Sequence, residues 1–277
     1  MKQLLLLATV LLSIGTASAQ TDSTRQEKKP DTIRIGGIVI IKSKDKDSKS
    51  KTIIIEDSTK IVRKKAKSDV STNWWIVDLG FANYTDNTNY ANALASGFVG
   101  PGVGEDQLDL RTGKSVNVNI WFFMQRFNLV KHYVNLKYGL GLELNNYRYT
   151  EPVLFNTSPT QIVMDTRHYT KNKLAADYLT VPLMLNFNFN PNKRKSFSLS
   201  AGVSGGYLYS ARQKTITGED GKQKERDDFD LRKFKLAYIG EIGLGPVKLY
   251  GSLATQSMFE KGLDQTPFNV GFRLSNW

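Results

Sequence analysis

The chain has 277 residues, a formal net charge of +12 and no cysteine. The length allows one or two domains, and the absence of cysteine excludes disulfides and thiolate metal sites. About half of the excess positive charge lies before residue 73, so the N-terminal quarter differs in composition from the rest of the chain.

The first twenty residues, MKQLLLLATVLLSIGTASAQ, have the composition of a secretory signal peptide. Lys2 precedes an apolar run from Leu4 to Leu12, and the small residues Ala17 and Ala19 have the spacing that signal peptidase recognises. The sequence therefore predicts a signal peptide over residues 1–19. No later apolar run approaches the roughly 18 residues that a membrane helix needs, so we expect the exported chain to be soluble or a β-barrel.

Residues 20–72 form a basic, low-complexity segment, which is expected to lie in the periplasm. They contain 14 Lys and Arg against 8 Asp and Glu, with few aromatic residues. One interpretation is a flexible, partly disordered segment. The alternative is a hairpin or exposed strand, built from IRIGGIVIIK and KTIIIED, that pairs with the sheet edge of a periplasmic or envelope protein. Lipid phosphates would also suit its charge, whereas nucleic acid is not an expected partner of an exported protein.

From about residue 73 to residue 277, the sequence predicts an all-β domain of eight antiparallel, up-and-down strands. In the third strand, YVNLKYGLGLELNN, apolar and polar residues alternate strictly, which is the period of a strand and excludes a helix. A soluble sandwich, or a soluble barrel with an apolar lumen, would bury the apolar face and expose the polar one, whereas a transmembrane barrel turns the apolar face to lipid. The predicted strands span residues 73–84, 115–127, 132–147, 174–189, 196–212, 232–244, 246–256 and 267–277.

The alternation assigns side chains to the two faces of the predicted barrel. Charges of both signs share the polar face, where opposite charges can pair and so offset their desolvation. The residues predicted to face the lumen are Lys137, Glu143, Lys235, Glu241, Lys248 and Arg273. The residues predicted to face lipid are Leu140, Leu142, Leu144, Leu183, Leu185, Phe187 and Phe272.

Short and long connections alternate along the predicted strands. Strands two and three, four and five, and six and seven are joined by short turns, the last of them by Gly245 and Pro246 alone. The other links are longer, including residues 85–114 and 148–173. This alternation is typical of outer-membrane barrels, which have short periplasmic turns and longer outer loops. A lipocalin-like soluble barrel is the alternative. The pattern favours the outer membrane of a Gram-negative bacterium.

The stretches DYLTVPLMLNFNF and SAGVSGGYLYSAR, together with the signal peptide and basic leader, resemble the PorT-type outer-membrane β-barrel proteins of Bacteroidota. The resemblance covers the whole predicted barrel. It implies an eight-stranded barrel of mostly unassigned role. One branch of that family is associated with type IX secretion, and that association does not transfer to this chain. Within DYLTVPLMLNFNF, Pro182 lacks a ladder N–H and predicts a bulge or kink.

The predicted function is that of a non-enzymatic, monomeric outer-membrane protein without cofactor or metal, which anchors or interacts through its outer loops and its leader. Eight strands enclose an interior that side chains fill, which leaves no open channel for a nutrient-sized solute. A narrow channel for small solutes or ions is the alternative. A soluble lipocalin-like carrier is less favoured. Asp165, His168 and Ser158 lie in one outer loop, which we interpret as solvated rather than catalytic. GPGVG, residues 100–104, is interpreted as a flexible loop tip.

Overall fold

The computed structural model describes residues 68–191 and 196–275 with their side chains, and residues 31–35, 38–45, 48–56 and 60–63 by their backbone. The predicted signal peptide, residues 1–19, lies outside the described residues. Contacts divide the chain into two units at residues 67 and 68, and each is described here by itself.

The described part of the first unit is an antiparallel meander of four strands. Each strand pairs with the next along the chain, and Ile40 lies opposite Ile54 in the central pair. Among the described residues, the two outer strands each have one neighbour. The strands are β1 (Asp31–Ile35), β2 (Ile38–Asp45), β3 (Ser48–Glu56) and β4 (Lys60–Arg63).

The second unit is a ring of eight antiparallel strands with additional short elements in its long loops. The ring strands are β5 (Val70–Asp86), β6 (Val116–Val130), β7 (Val134–Arg148), β10 (Tyr169–Asn188), β11 (Phe197–Thr217), β13 (Phe234–Leu244), β14 (Val247–Ala254) and β15 (Gln265–Leu274). The loop elements are α1 (Tyr90–Ala95), 3-10 turns at Asp106–Leu108 and Thr112–Lys114, and strands β8 (Val153–Asn156), β9 (Gln161–Met164) and β12 (Gly221–Glu225).

Every ring strand pairs with the next ring strand along the chain, and β15 closes the ring by pairing with β5. This confirms the predicted eight-stranded, antiparallel up-and-down barrel. In the described residues, no helix has both the length and the apolar character that crossing a membrane requires.

The two faces of the wall differ as strict alternation requires. On β7, the side chains at every odd position from Asn135 to Tyr147 are buried inside the ring. The opposite face of the strands carries large apolar side chains that are exposed. This exposed surface, called the apolar belt below, includes Val77, Leu79, Leu183, Leu185, Leu199, Val203, Leu236, Leu249, Val270 and Phe272.

Local irregularities interrupt the ladders at several places, and three of them affect the wall between the loops and the turns. Pro182 keeps the register of β10 against β7, but the ladder lacks pairs at Val181 and Pro182, because proline supplies no N–H. The register shifts at Phe122 on β6, and at the same height Trp75 on β5 has a φ of 55°. A further shift at Tyr209 turns the following residues of β11 over, so that Arg212 and Lys214 lie on its outer face.

The long loops are packed rather than loose. Side chains from all four long connections meet the last inward residues of β7, β10 and β11 in one apolar cluster at that end of the ring. Phe155 and Phe259 stack there with ring centroids 6.4 Å apart. GPGVG, interpreted from sequence as a flexible tip, is partly buried, because Val103 joins this cluster and the Gly100 N–H donates to the Ile162 carbonyl over 2.7 Å.

Candidate functional site in the barrel interior

The centre of the barrel interior contains a chain of four paired charges. Arg273 on β15 lies directly opposite Asp78 on β5 in the ladder. Its Nε and Nη2 each donate to one Asp78 carboxylate oxygen over 2.6 Å, which is the two-pronged geometry that strengthens Arg–carboxylate pairs. Asp78 also accepts hydrogen bonds from Trp121 Nε1 at 2.7 Å and Asn119 Nδ2 at 3.1 Å, so its carboxylate is fully engaged.

Glu241 carries this chain across the interior. Its two carboxylate oxygens accept from Arg273 and from Lys137, which lies on the other side of the ring on β7. Lys137 has no exposed surface, and Arg273 lies 5.2 Å from the Trp121 ring centroid. The network therefore joins β5, β7, β13 and β15 through side chains as well as through ladders. Nearby, Lys248 donates to the hydroxyl of Ser275.

A second cluster centres on Glu143, nearer to the packed loops. Lys235 on β13 forms an ion pair with this carboxylate, and its ammonium lies 4.7 Å from the Tyr178 ring centroid. Glu143 also accepts from Asn269 at 3.0 Å and from Asn145 at 3.1 Å. These additional hydrogen bonds satisfy lone pairs of the buried carboxylate that the ion pair alone would leave without a donor, and so offset its desolvation.

The structure places the six charged residues assigned to the polar face on the inner wall. Five are buried and the side chain of Lys235 is 9% exposed. Asp78 belongs with them, although the residues predicted from sequence to face the lumen did not include it. Its position in WIVDLGF, between two outward apolar residues, is the signal that identifies its face. Among the described residues, the interior holds the anions Asp78, Glu143 and Glu241 and the cations Lys137, Lys235, Lys248 and Arg273, and Arg126 lies on the same face of the wall, opposite Lys137.

The residues assigned to the lipid side lie on the opposite face. Leu183, Leu185, Phe187 and Phe272 are exposed on the outside of the ring. Leu140, Leu142 and Leu144 also point outward and are half-buried against neighbouring side chains.

The free space between the two charge clusters is small. A cavity of about 30 Å³, lined by Glu143, Glu241, Tyr250 and Arg273 among others, has room for about two water molecules. Gly141 leaves room for the Trp121 ring on the neighbouring strand, since a Cβ at position 141 would lie 2.7 Å from that ring. Together with the apolar cluster at the loop end, these side chains fill the described part of the interior.

The outer loop that contains Asp165, His168 and Ser158 does not assemble a nucleophile and base. The Asp165 carboxylate binds the Arg167 guanidinium and accepts from the Tyr169 hydroxyl, while His168 and Ser158 are exposed. The hydrogen bonds from Arg167 hold the pKa of Asp165 well below its usual range, against the effect of burial. In residues 68–191 and 196–275, no three His, Asp or Glu side chains are grouped as a metal site.

Comparisons with known proteins gave one match to a protein family. The family model described as "Outer membrane protein beta-barrel domain" matches residues 75–266. Among solved structures, the chain is similar to a mutant of the porin from Rh. blastica, at 11% identity, with 88% of this chain and 87% of that chain covered and a TM-score of 0.13. At that score, the likeness supports no argument. None of the curated proteins compared with the chain matches it.

Proposed function

The chain belongs to the outer membrane protein beta-barrel domain family, and from this premise we propose that it is a non-enzymatic, non-conducting barrel that anchors interaction surfaces in the outer membrane. The observation that carries the proposal is the filled interior. Charged side chains and an apolar cluster occupy the space that a porin leaves to water, and the cavity between the two charge clusters holds about two water molecules.

The proposed orientation follows from the connections. The packed loops belong outside the cell and the short turns in the periplasm, as in other barrels of this architecture. β5 begins at the short-turn end, so the leader that precedes it would enter the periplasm after export by the predicted signal peptide. Affiliation with the PorT-type branch stays a proposal based on the sequence motifs.

The second candidate function is passage of water or small ions through a tight lumen. It is favoured by the polar inner wall and by the cavity beside Glu241 and Arg273, which a modest rearrangement could extend. The two candidate functions differ in whether the ion pairs inside the barrel separate in the membrane and leave a path for water or ions.

Planar-bilayer recording separates the two candidates. We expect wild-type protein, shown to be folded by a heat-dependent shift in gel mobility, to give no unitary conductance steps. A double substitution of Glu241→Ser and Arg273→Ser, used only if it shows the same heat-dependent gel shift, would widen the lumen, and steps from it would show that the assay detects inserted barrels. Stable steps from the wild-type protein at the same dose would overturn the proposal in favour of passage.

We propose that the leader, residues 20–72, binds a periplasmic protein. The outer strands β1 and β4 each have an unoccupied edge among the described residues, and such edges accept a further strand from a partner. Deleting residues 20–67, which ends before β5 begins, should leave the heat-dependent gel shift intact and abolish crosslinks to periplasmic proteins. If the deletion abolished the gel shift, the leader would be part of barrel assembly and not a separate binding module.

A further inference from the structure

The outer wall of the barrel carries a basic surface just beyond the apolar belt, on the side of the long loops. It lies on the extensions of β7, β10 and β11 and on β12, which pairs with β11 alone. The basic face, as we call it, consists of Arg148, Lys171, Lys173, Arg212, Lys214, Lys222 and Lys224.

Strand register places four of these cations in one row. Arg148 lies opposite Lys173, Lys173 opposite Lys214, and Lys214 opposite Lys224. Directly opposed residues on neighbouring strands share a face, with Cβ atoms about 5 Å apart, and like charges in that position repel. The row therefore holds four positive charges at a spacing that destabilises the wall unless an anion lies against it.

The pKa of Lys214, which lies beyond the belt, reflects this crowding. Its pKa is lowered from the ordinary value, first by the charge of Lys222, then by partial desolvation and by Lys171, Lys224 and Arg212. Protein carboxylates relieve little of it. Asp177 forms an ion pair with Arg212, but among the described residues no carboxylate lies at ion-pair distance from Lys173, Lys214, Lys222 or Lys224.

The height of the basic face indicates what it meets. Immediately below it, Leu179 on β10 and Tyr207 and Tyr209 on β11 are exposed on the same outer surface. Tyrosines of this kind mark the boundary between hydrocarbon and water in membrane barrels. Arg212 and Lys214 lie three and five residues beyond Tyr209 along β11, on the water side of that boundary, where phosphate oxygens of lipid headgroups accept hydrogen bonds from Lys and Arg.

From the register, charge and height together, we propose that the basic face binds the phosphate groups of an anionic lipid in the outer leaflet. The phosphates would lie along the row from Arg148 to Lys224, with the acyl chains against the apolar belt beneath. The inference rests on the proposed orientation of the barrel, with its long loops outside.

Native mass spectrometry of the full-length protein in a neutral detergent tests this assignment. The probes are diphosphorylated lipid A, the same lipid without its phosphates, and inorganic phosphate. The row variant combines Lys173→Gln, Lys214→Gln and Lys224→Gln. The matched control removes three exposed lysines outside the row by Lys114→Gln, Lys131→Gln and Lys233→Gln.

We expect the wild-type protein and the control to bind diphosphorylated lipid A, and the row variant to bind it on the order of a hundredfold more weakly. The lipid without phosphates should bind weakly to all three. Equal losses in the row variant and the control would overturn the proposal, because total charge would then suffice. Competition by inorganic phosphate at the affinity of the lipid would also overturn it, because the site would then bind a free anion.

Folding and orientation are checked separately. The row variant should keep its heat-dependent gel shift, since it removes repulsion and no ion pair, although it loses the hydrogen bond that Lys173 donates to Asn146. If it does not keep the shift, Lys214→Gln alone repeats the test. An impermeant amine-reactive label applied to intact cells reports whether β12 faces outward. Absence of labelling on β12 would refute the orientation on which the proposed function depends, whereas labelling without lipid binding would refute the lipid site alone.

Discussion

The interior of the barrel and the basic face on its outer wall both concentrate charge, but they compensate it differently. Inside, the strand register brings Asp78 to Arg273, and Glu241 bridges Arg273 to Lys137, so the charges neutralise one another. Outside, the same ladder geometry brings Lys173, Lys214 and Lys224 side by side. We infer that charges paired within the protein serve its structure, whereas like charges aligned at the headgroup level serve an external anion.

The largest effect is expected from removing an ion pair inside the barrel. Glu241→Ala removes the carboxylate that Lys137 and Arg273 share, and removing one partner of a buried ion pair costs about 3 to 5 kcal/mol. We expect a large fall in the temperature at which the folded gel band disappears. Phe272→Leu, on the outer face beside Arg273, is the matched control and should change it little. Equal effects of the two variants would mean that the network adds no stability.

A smaller effect is expected at the second cluster. Glu143→Gln keeps a side chain of the same shape, which can still accept a hydrogen bond from Asn269, and removes the negative charge beside Lys235. The expected loss is about 1 to 3 kcal/mol of unfolding free energy, that of a buried hydrogen-bonded group left partly unsatisfied. Urea titration of the gel shift measures it. In a Lys235→Met background, the same substitution should cost less, and an unchanged cost would show that the pair is not coupled.

On the outer wall, removing a charge should raise the unfolding free energy, whereas inside the barrel it should lower it. Without anionic lipid, Lys214→Gln relieves repulsion from its opposed neighbours and should stabilise the protein by about 0.2 to 1 kcal/mol. The same urea titration in neutral detergent checks this. Lys131→Gln, at a short turn, is the control and should have no effect. Destabilisation by Lys214→Gln would indicate that the lysine is already compensated within the protein.

The smallest effect is expected from pH at the outer loops. The folded-state pKa of Asp165 lies below its ordinary value because of Arg167, so its ionised form stabilises the loop above the unfolded pKa of about 4. This contribution is lost as pH falls from about 4 through the folded pKa. Amide hydrogen exchange in residues 153–169 should increase over that range. Asp165→Asn should remove the pH dependence, and its persistence would assign the effect to another group.

Much of this architecture can be predicted from the sequence because alternation is a local signal. The eight strands appear within a few residues of their predicted limits, and the face assigned to Lys137 is the one that is buried. The same alternation could have predicted the inward position of Asp78. It could not have predicted the packing of Phe155 against Phe259, since that contact joins loops about a hundred residues apart. The cation row also escaped prediction, because it depends on the register of β11 after the shift at Tyr209 and on its pairing with β12.

The contrast between a filled interior and an exposed outer face can be tested directly because the chain has no native cysteine. Single cysteines replace Ser204, which lines the interior cavity, and Lys222 on the basic face, and intact cells are treated with an impermeant maleimide. The account predicts rapid labelling of Lys222→Cys, and labelling of Ser204→Cys only after denaturation. Equally rapid labelling of Ser204→Cys in intact cells would contradict it, because the interior would then be open to solvent as in a channel.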